Sequence, residues 1–482
     1  MNTQSLQKFS IIVFSSMLAA CTIGQKTADL NAIYQRSAQY NLPDRNPVIV
    51  IPGVLGSELV DDETGKTVWG AFRGTYADPR DEEDIQLIAL PISAEVPFKE
   101  LKDGVRSNGV LETLQVSLLG IPLNLRAYFG ILTTLGAGGY ADQSLGQTGI
   151  DYGDDHFTCF QFDYDWRRDN VENAARLKQF IDEKRAYIQA EYKERYGIEN
   201  ADVKFDIVAH SMGGLITRYF LRYGDAPLAE YDSVPEPTWA GVADVETVVL
   251  VGPPNGGATK TFEQLINGYD DGRPVLPLYP SYLMGTFPSV YQLLPRSRQN
   301  RILYDDEAPI EDIYDGELWA RYGWGLSATD RKTTEFIRNA LPDVTDDASR
   351  REIASAYQTA ALKRAKAFHQ ALDMPAQQPE GLNLFLVAGD ATQTQQLVTV
   401  DRKTGEPRVT GYGPGDGTVP RYSALADERI SGEWEPYLVS PINWSGVTFL
   451  SSSHLGLTSD PAFADNVLYK LLEAPRSATP TN

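Results

Sequence analysis

The sequence predicts an α/β fold, a mostly parallel sheet with helices on both faces, interrupted by one long insertion. Three observations predict it. The apolar run Val203–Ala209 ends in His210-Ser211-Met212-Gly213-Gly214 and passes directly into Leu215-Ile216-Thr217-Arg218-Tyr219-Phe220-Leu221, a strand, a sharp turn and a helix. Strand-type and helix-type stretches alternate with short joins from Phe157 to Val251, the pattern of a parallel sheet covered on both sides. Between Gly252 and Pro379 the text changes to Tyr, Pro and Leu, then to acidic residues, then to a helix near Ser349–Leu372. A segment of that length between strands reads as a cap, because a structureless loop that long is improbable.

Composition narrows the function. The 482 residues carry 43 Lys and Arg against 65 Asp and Glu, a net charge of −22. That balance argues against nucleic acid and against electrostatic docking on anionic lipid. Outside the N-terminus no apolar run exceeds about a dozen residues, too short for membrane-spanning helices. A hydrophobic content of 42% suffices for one large core or two modest ones. Two cysteines, Cys21 and Cys159, are too few for a disulfide framework.

The first residues read as a targeting signal. Lys8 precedes the apolar core Phe9–Met17, which runs into Leu18-Ala19-Ala20-Cys21. The last four residues resemble the bacterial lipoprotein cleavage box, in which the cysteine is lipidated and becomes the mature N-terminus. Thr22 in place of Asp then favours the outer membrane. A cell-envelope protein, anchored to a membrane surface through Cys21, is expected. More than one acyl chain is needed for stable anchoring. The expected organisation is a signal peptide at 1–20 and a tether at 21–45. Core follows at 46–254, cap or lid at 255–380, core again at 381–474, and a tail at 475–482.

In chain order, Pro47–Ile51 is a buried-type strand that runs into Pro52-Gly53-Val54-Leu55-Gly56. Such a turn can offer a backbone N–H to a reacting group, and Val54 is the candidate. Residues 61–105, charge-rich and broken by Pro, suggest a surface excursion. Leu125–Leu135 reads as an apolar helix ended by Gly136-Ala137-Gly138-Gly139. Cys159, in the aromatic strand Phe157–Phe162, has no basic neighbour to activate it and reads as inert. Tyr164-Asp165-Trp166-Arg167 is structural or substrate-positioning. Asp169 or Asn170 caps a long helix to Tyr196, ended by Gly197, with Leu177, Phe180, Ile181, Ile188 and Tyr192 as its apolar stripe.

Ser211 is the candidate nucleophile. A serine on a strained strand-to-helix turn projects its hydroxyl clear of the backbone, and small neighbours let strand and helix approach. The helix start offers the Met212 N–H to a developing oxyanion. The hydroxyl needs a base, and the base needs an acid to orient it. Only four histidines exist. His210 is expected to point away from the serine, His156 lies upstream of the sheet motifs, and His369 falls in the cap. His454, in a loop after the final strand region, remains as the base. For the acid, Asp416 in Gly415-Asp416-Gly417-Thr418-Val419-Pro420 has the tight-turn chemistry that Asp390 lacks. No cofactor or metal is called for.

Several stretches together resemble the lecithin:cholesterol acyltransferase family. They are Val50–Gly56, Tyr164–Arg167, Ala209–Gly214, Gly252-Pro253-Pro254-Asn255-Gly256-Gly257, Gly415–Pro420 and Ser453-His454-Leu455. The resemblance implies an α/β-hydrolase core with an inserted cap and a mobile lid. It also implies Ser211, Asp416 and His454 as catalytic triad, with backbone donors at Val54 and Met212. The family's paired structural cysteines are missing here, and residues 57–157 and the cap match loosely. The expected activity is therefore acyl transfer from a lipid ester, a phospholipid acyl chain above all, to water or an alcohol. Tyr279–Phe287 and Tyr291–Leu294 would receive acyl chains or form the cap's own core. A soluble small-ester hydrolase and an anchored binding protein without catalysis are the rival expectations. Oligomeric state is not legible.

Overall fold

The computed structural model describes residues 28–71, 76–111, 113–118, 121–126, 128–228, 234–269, 279–429 and 435–476. The signal segment and Cys21 lie outside them.

Six strands make the central sheet: β1 (Val48–Ile51), β2 (Cys159–Gln161), β3 (Phe205–His210), β4 (Val245–Val251), β5 (Asn383–Gly389) and β6 (Gly446–Leu450). Their spatial order is β6-β5-β4-β3-β1-β2, and every neighbouring pair is parallel. The strands are runs of Val, Ile and Leu because a parallel sheet is buried on both faces. Side chains alternate between two cores accordingly. Ile49, Ile51, Ile207 and Ala209 join the larger core with helices α2 (Asn170–Tyr196) and α3 (Met212–Tyr223). Val48, Val50 and Val208 join the smaller core, under α1 (Phe129–Ala137) and α5 (Pro461–Leu472).

Helix α2 begins and ends as its sequence dictates. Asp169 accepts from the Val171 N–H at the N-cap, and Gly197 at φ 68° closes the C-terminus in the left-handed conformation. Between β4 and β5 lies a largely helical insertion. It includes α4 (Asp347–Asp373), whose buried face runs from Ala354 through Tyr357, Ala361, Ala365 and Phe368 to Leu372. Arg218 and Arg222 on α3 reach the carbonyl end of α4, Arg218 Nη2 donating to Leu372 O at 2.8 Å and Arg222 to Met374 O. Cations there complement the helix dipole and satisfy its last carbonyls.

Three stretches depart from expectation. Residues 61–105 are not confined to the surface. Ile85, Ile88, Leu90, Ile92 and Leu101 are buried in the larger core. Arg167 explains the attachment: fully buried, it binds Asp165, Asp103 and the Ile88 carbonyl, and so ties the excursion to the chain beside β2. The helix expected from Leu125 starts only at Phe129, because Ile121–Arg126 pairs antiparallel with Thr113–Leu118 as a hairpin. Alternation of apolar and polar residues in Leu123-Asn124-Leu125-Arg126 is strand periodicity. The segment before β1 is not wholly irregular either: Leu30–Ile33 and Gln35–Ala38 are helical turns, and Tyr34 is buried with its hydroxyl 2.9 Å from Asp465.

Candidate active site

Ser211 sits between β3 and α3 with φ 54° and ψ −124°, a conformation costly for any residue with a side chain. Sheet hydrogen bonding holds it there, since its N–H donates to Val251 O at 2.8 Å. The glycines around it are forced by proximity. A Cβ on Gly53 would lie 2.7 Å from Ser211 Cβ, and one on Gly213 would lie 2.4 Å from Pro52 O. The loop after β1 is thus packed directly on the serine turn.

His454 follows β6 in an irregular loop, and its Nε2 lies 3.0 Å from Ser211 Oγ. Its Nδ1 lies 2.7 Å from Asp416 Oδ2. Asp416 does not end a strand of the central sheet. It follows Pro407–Gly415, which pairs with Thr392–Val400 in a separate three-stranded sheet. Its Oδ1 accepts from the amides of Thr418 and Val419 at 2.9 and 2.7 Å. A second bond holds the loops together, His454 N–H to Asp416 O at 2.9 Å. Gly252, at φ 56°, leaves room for the pair; a Cβ there would approach both Asp416 Oδ2 and His454 Nδ1 to 3.2 Å.

Burial of Asp416 works against its charge. The facing His454 ring and the hydrogen bonds outweigh burial and hold the carboxyl below the ordinary carboxylate range. An ionised carboxylate only accepts, so the imidazole proton belongs on Nδ1 and Nε2 is free to accept from the serine hydroxyl. Such a chain can raise the nucleophilicity of a hydroxyl and carry its proton to a leaving group.

The N–H groups of Met212 and Val54 donate to no acceptor among the described residues. The Gly53 N–H is taken, donating to Tyr128 Oη at 2.7 Å. Of the two adjacent loop amides, Val54 is the one left available. Asp390 stands apart, with its carboxylate 3.8 Å from Arg421. His156 packs against Tyr192 near Glu191, and His369 lies between Tyr314 Oη and Gln292 O. Cys159 is a buried free thiol whose pKa burial raises.

A small apolar cavity of about 60 Å³ adjoins Val54 and Leu55 and is walled by Trp166, Met284, Val290 and Leu293. Of the two expectations for the aromatic stretches, the structure shows core packing for most of them, while Tyr279, Met284 and Leu293 line this cavity. Leu283, Phe287, Tyr291 and Leu294 are fully buried in the larger core. A wider groove of about 870 Å³ passes Arg218, Trp239 and Trp444 and is lined by none of the residues around Ser211.

Sequence reasoning missed Tyr128 and the use made of His210. Tyr128 Oη lies 3.1 Å from His210 Nδ1, and His210 Nε2 lies 3.1 Å from His454 O. The His210 ring, expected to point away from the serine, meets the loop that carries His454. Nothing in the local sequence marks Tyr128, one of two adjacent aromatics with Phe129.

Residues 142–371 match the family model of lecithin:cholesterol acyltransferase. Over those residues the chain is similar to the lecithin:cholesterol acyltransferase family. Ser211 and Met212 fall within the acyltransferase match; Val54, Asp416 and His454 lie outside it. Lecithin-cholesterol acyltransferase-like 4 of Arabidopsis thaliana is 24% identical over 266 residues, 52% of this chain and 43% of that protein. The chain thus spans less than half the length of this curated relative. A chain of the Tle4–Tli4 complex superposes with a TM-score of 0.54 at 14% identity, covering 89% of this chain and 98% of that one. Lipase 1 from Pelosinus fermentans aligns over 89% of this chain and 99% of its own, at 13% identity and a TM-score of 0.34. With its parallel sheet and its serine turn between β3 and α3, the chain has an α/β-hydrolase fold.

Proposed function

We propose that this protein is a serine-dependent acyl hydrolase or acyltransferase acting on lipid esters. The observation that carries the reading is the unbroken chain Ser211 Oγ, His454, Asp416, at 3.0 and 2.7 Å. His454 takes the hydroxyl proton as Ser211 attacks the ester carbonyl. The Met212 and Val54 amides hold the resulting oxyanion. His454 then protonates the departing alcohol, leaving an acyl-serine that water or a second alcohol resolves. The partial match to the acyltransferase family supports acyl chemistry on a lipid, and a phospholipid acyl chain is the proposed donor. The apolar cavity beside Val54 is the proposed place for the start of the acyl chain.

A second reading, a soluble carboxylesterase for small esters, is favoured by the size of that cavity. About 60 Å³ is well below the ~300–1,000 Å³ of ordinary ligand pockets. One assay separates the two. The protein is incubated with phosphatidylcholine vesicles, with and without cholesterol or a long-chain alcohol, and with a monomeric short-chain ester. Lipid turnover with a new ester supports acyl transfer, and free fatty acid alone supports a phospholipase. Turnover of the short ester with untouched vesicles contradicts the lipid reading.

The chain is proposed to reach its substrate from the bacterial cell envelope, anchored through lipidated Cys21, with the outer membrane as its site. Among the described residues no helix is long and apolar enough to cross a membrane. Expression with an alkyne-labelled fatty acid tests the anchor: the parent should carry label and Cys21→Ala none. Equal labelling of both would contradict it.

A further inference from the structure

We infer that Tyr128 and His210 are positioning residues, a hydrogen-bond relay of fixed polarity that ties the Gly53–Val54 loop to the loop carrying His454. The inference rests on the reading of Ser211 as nucleophile.

The polarity follows from its ends. A backbone N–H can only donate, so Tyr128 Oη accepts from Gly53 at 2.7 Å. The phenolic proton must then go elsewhere, and His210 Nδ1 is 3.1 Å away. His210 is fully buried and burial pushes its pKa down to about 3, so the ring is neutral and carries one proton. With Nδ1 accepting from Tyr128, that proton sits on Nε2. Nε2 faces His454 O at 3.1 Å, a group that can only accept. Gly53 to Tyr128 to His210 to His454 is therefore satisfied at every link, in one direction and one tautomer.

The relay joins the parts whose spacing the chemistry depends on. At one end, Gly53 is pressed on Ser211 and precedes Val54, the proposed oxyanion donor. At the other, both backbone groups of His454 are held, its N–H by Asp416 O at 2.9 Å and its carbonyl by His210. The His210 and His454 rings are 4.7 Å apart, so movement of one is felt by the other. Packing alone does not account for the arrangement. A phenylalanine and an aliphatic residue would fill the same space, and buried polar atoms are costly unless all are paired.

The test is steady-state hydrolysis of p-nitrophenyl butyrate by the full chain and its variants Tyr128→Phe, His210→Ala, the double variant and His210→Gln, with Ser211→Ala as reference. A misplacement of about 1 Å at a reacting group costs about 10²-fold in rate, so Tyr128→Phe and His210→Ala should each lower kcat by ~10- to 100-fold. KM should stay within about twofold, since ground-state binding is untouched. The double variant should be no slower than the slower single one, because a chain broken twice is broken once. His210→Gln, which keeps a donor and an acceptor, should recover part of the loss. Tyr128→Phe removes one oxygen and keeps the packing, so it decides the matter if His210→Ala does not fold. A kcat for Tyr128→Phe within about twofold of the parent, or losses that multiply in the double variant, overturns the relay. An active Ser211→Ala overturns the reading of Ser211 and the relay with it; an inactive Ser211→Ala beside a normal Tyr128→Phe overturns the relay alone.

Discussion

The carboxylate of Asp416 serves two loops at once: Oδ2 faces His454 Nδ1 at 2.7 Å while Oδ1 accepts from the amides of Thr418 and Val419. The turn fixes the acid, and the acid fixes the imidazole tautomer. Asp416→Asn keeps the shape but can present an N–H to Nδ1, which stabilises the wrong tautomer. Turnover should fall about 10⁴-fold with melting behaviour close to the parent. Steady-state kinetics beside a thermal melt checks this, and a loss under about tenfold would remove Asp416 from the proposed mechanism.

Acidification should destabilise the protein in a window to which His210 contributes beside the buried His369 and His156, which burial shifts the same way. The folded pKa of His210, about 3, lies below the unfolded value near 6.5, because burial disfavours the charged ring. Between those values the unfolded chain binds the extra proton, so stability falls as pH falls, by about 1.4 kcal/mol per pH unit from this group. Asp416 acts lower down. Its contribution is present above the unfolded carboxylate value and is lost as pH falls through its depressed folded value. Urea unfolding of parent and His210→Gln at pH 4.5–7 (roughly the upper part of that window) should show the steeper decline in the parent. Parallel curves would contradict the assignment.

Arg167 holds a different part of the molecule. Its guanidinium is buried against Asp165, 1% exposed, and donates to Ile88 O at 2.8 Å. Arg167→Met leaves a buried carboxylate short of its partner and should cost about 3 kcal/mol or more in chemical denaturation. The variant that remains folded should keep the parent's kcat. A selective fall in kcat at unchanged stability would instead give Arg167 a substrate-positioning role.

Chain-length preference should respond to the cavity beside Val54. Leu293 lines it, and Leu293→Trp would fill the space. On p-nitrophenyl esters of rising chain length, kcat/KM should fall more for long acyl groups than for acetate, by about tenfold, on the scale of a lost apolar contact. A uniform change across the series would place the acyl group elsewhere.

What the sequence disclosed and what it hid divide along physical lines. The β3–Ser211–α3 turn was legible because strand periodicity, glycine and helix periodicity are all local. Helix α2 was legible to its caps. His454 could be singled out because a chain with four histidines leaves little choice, and Asp416 because Asp-Gly marks a turn. Geometry brings these residues within hydrogen-bond distance. The burial of Ile85 and Ile88 was hidden, since an acidic, Pro-broken stretch is held inside by Arg167 across 79 residues. The hairpin before Tyr128 was hidden because apolar residues alternate only briefly there. Tyr128 itself had no local signal: its partners are at 53 and 210.

The most direct test is intact-mass spectrometry of the purified chain after reaction with a fluorophosphonate, followed by peptide mapping. One adduct on the peptide bearing Ser211 is expected, lost in Ser211→Ala and strongly slowed in His454→Ala, with both variants folded. An adduct that persists in Ser211→Ala, or a parent that takes up none while it turns over ester, would contradict the account.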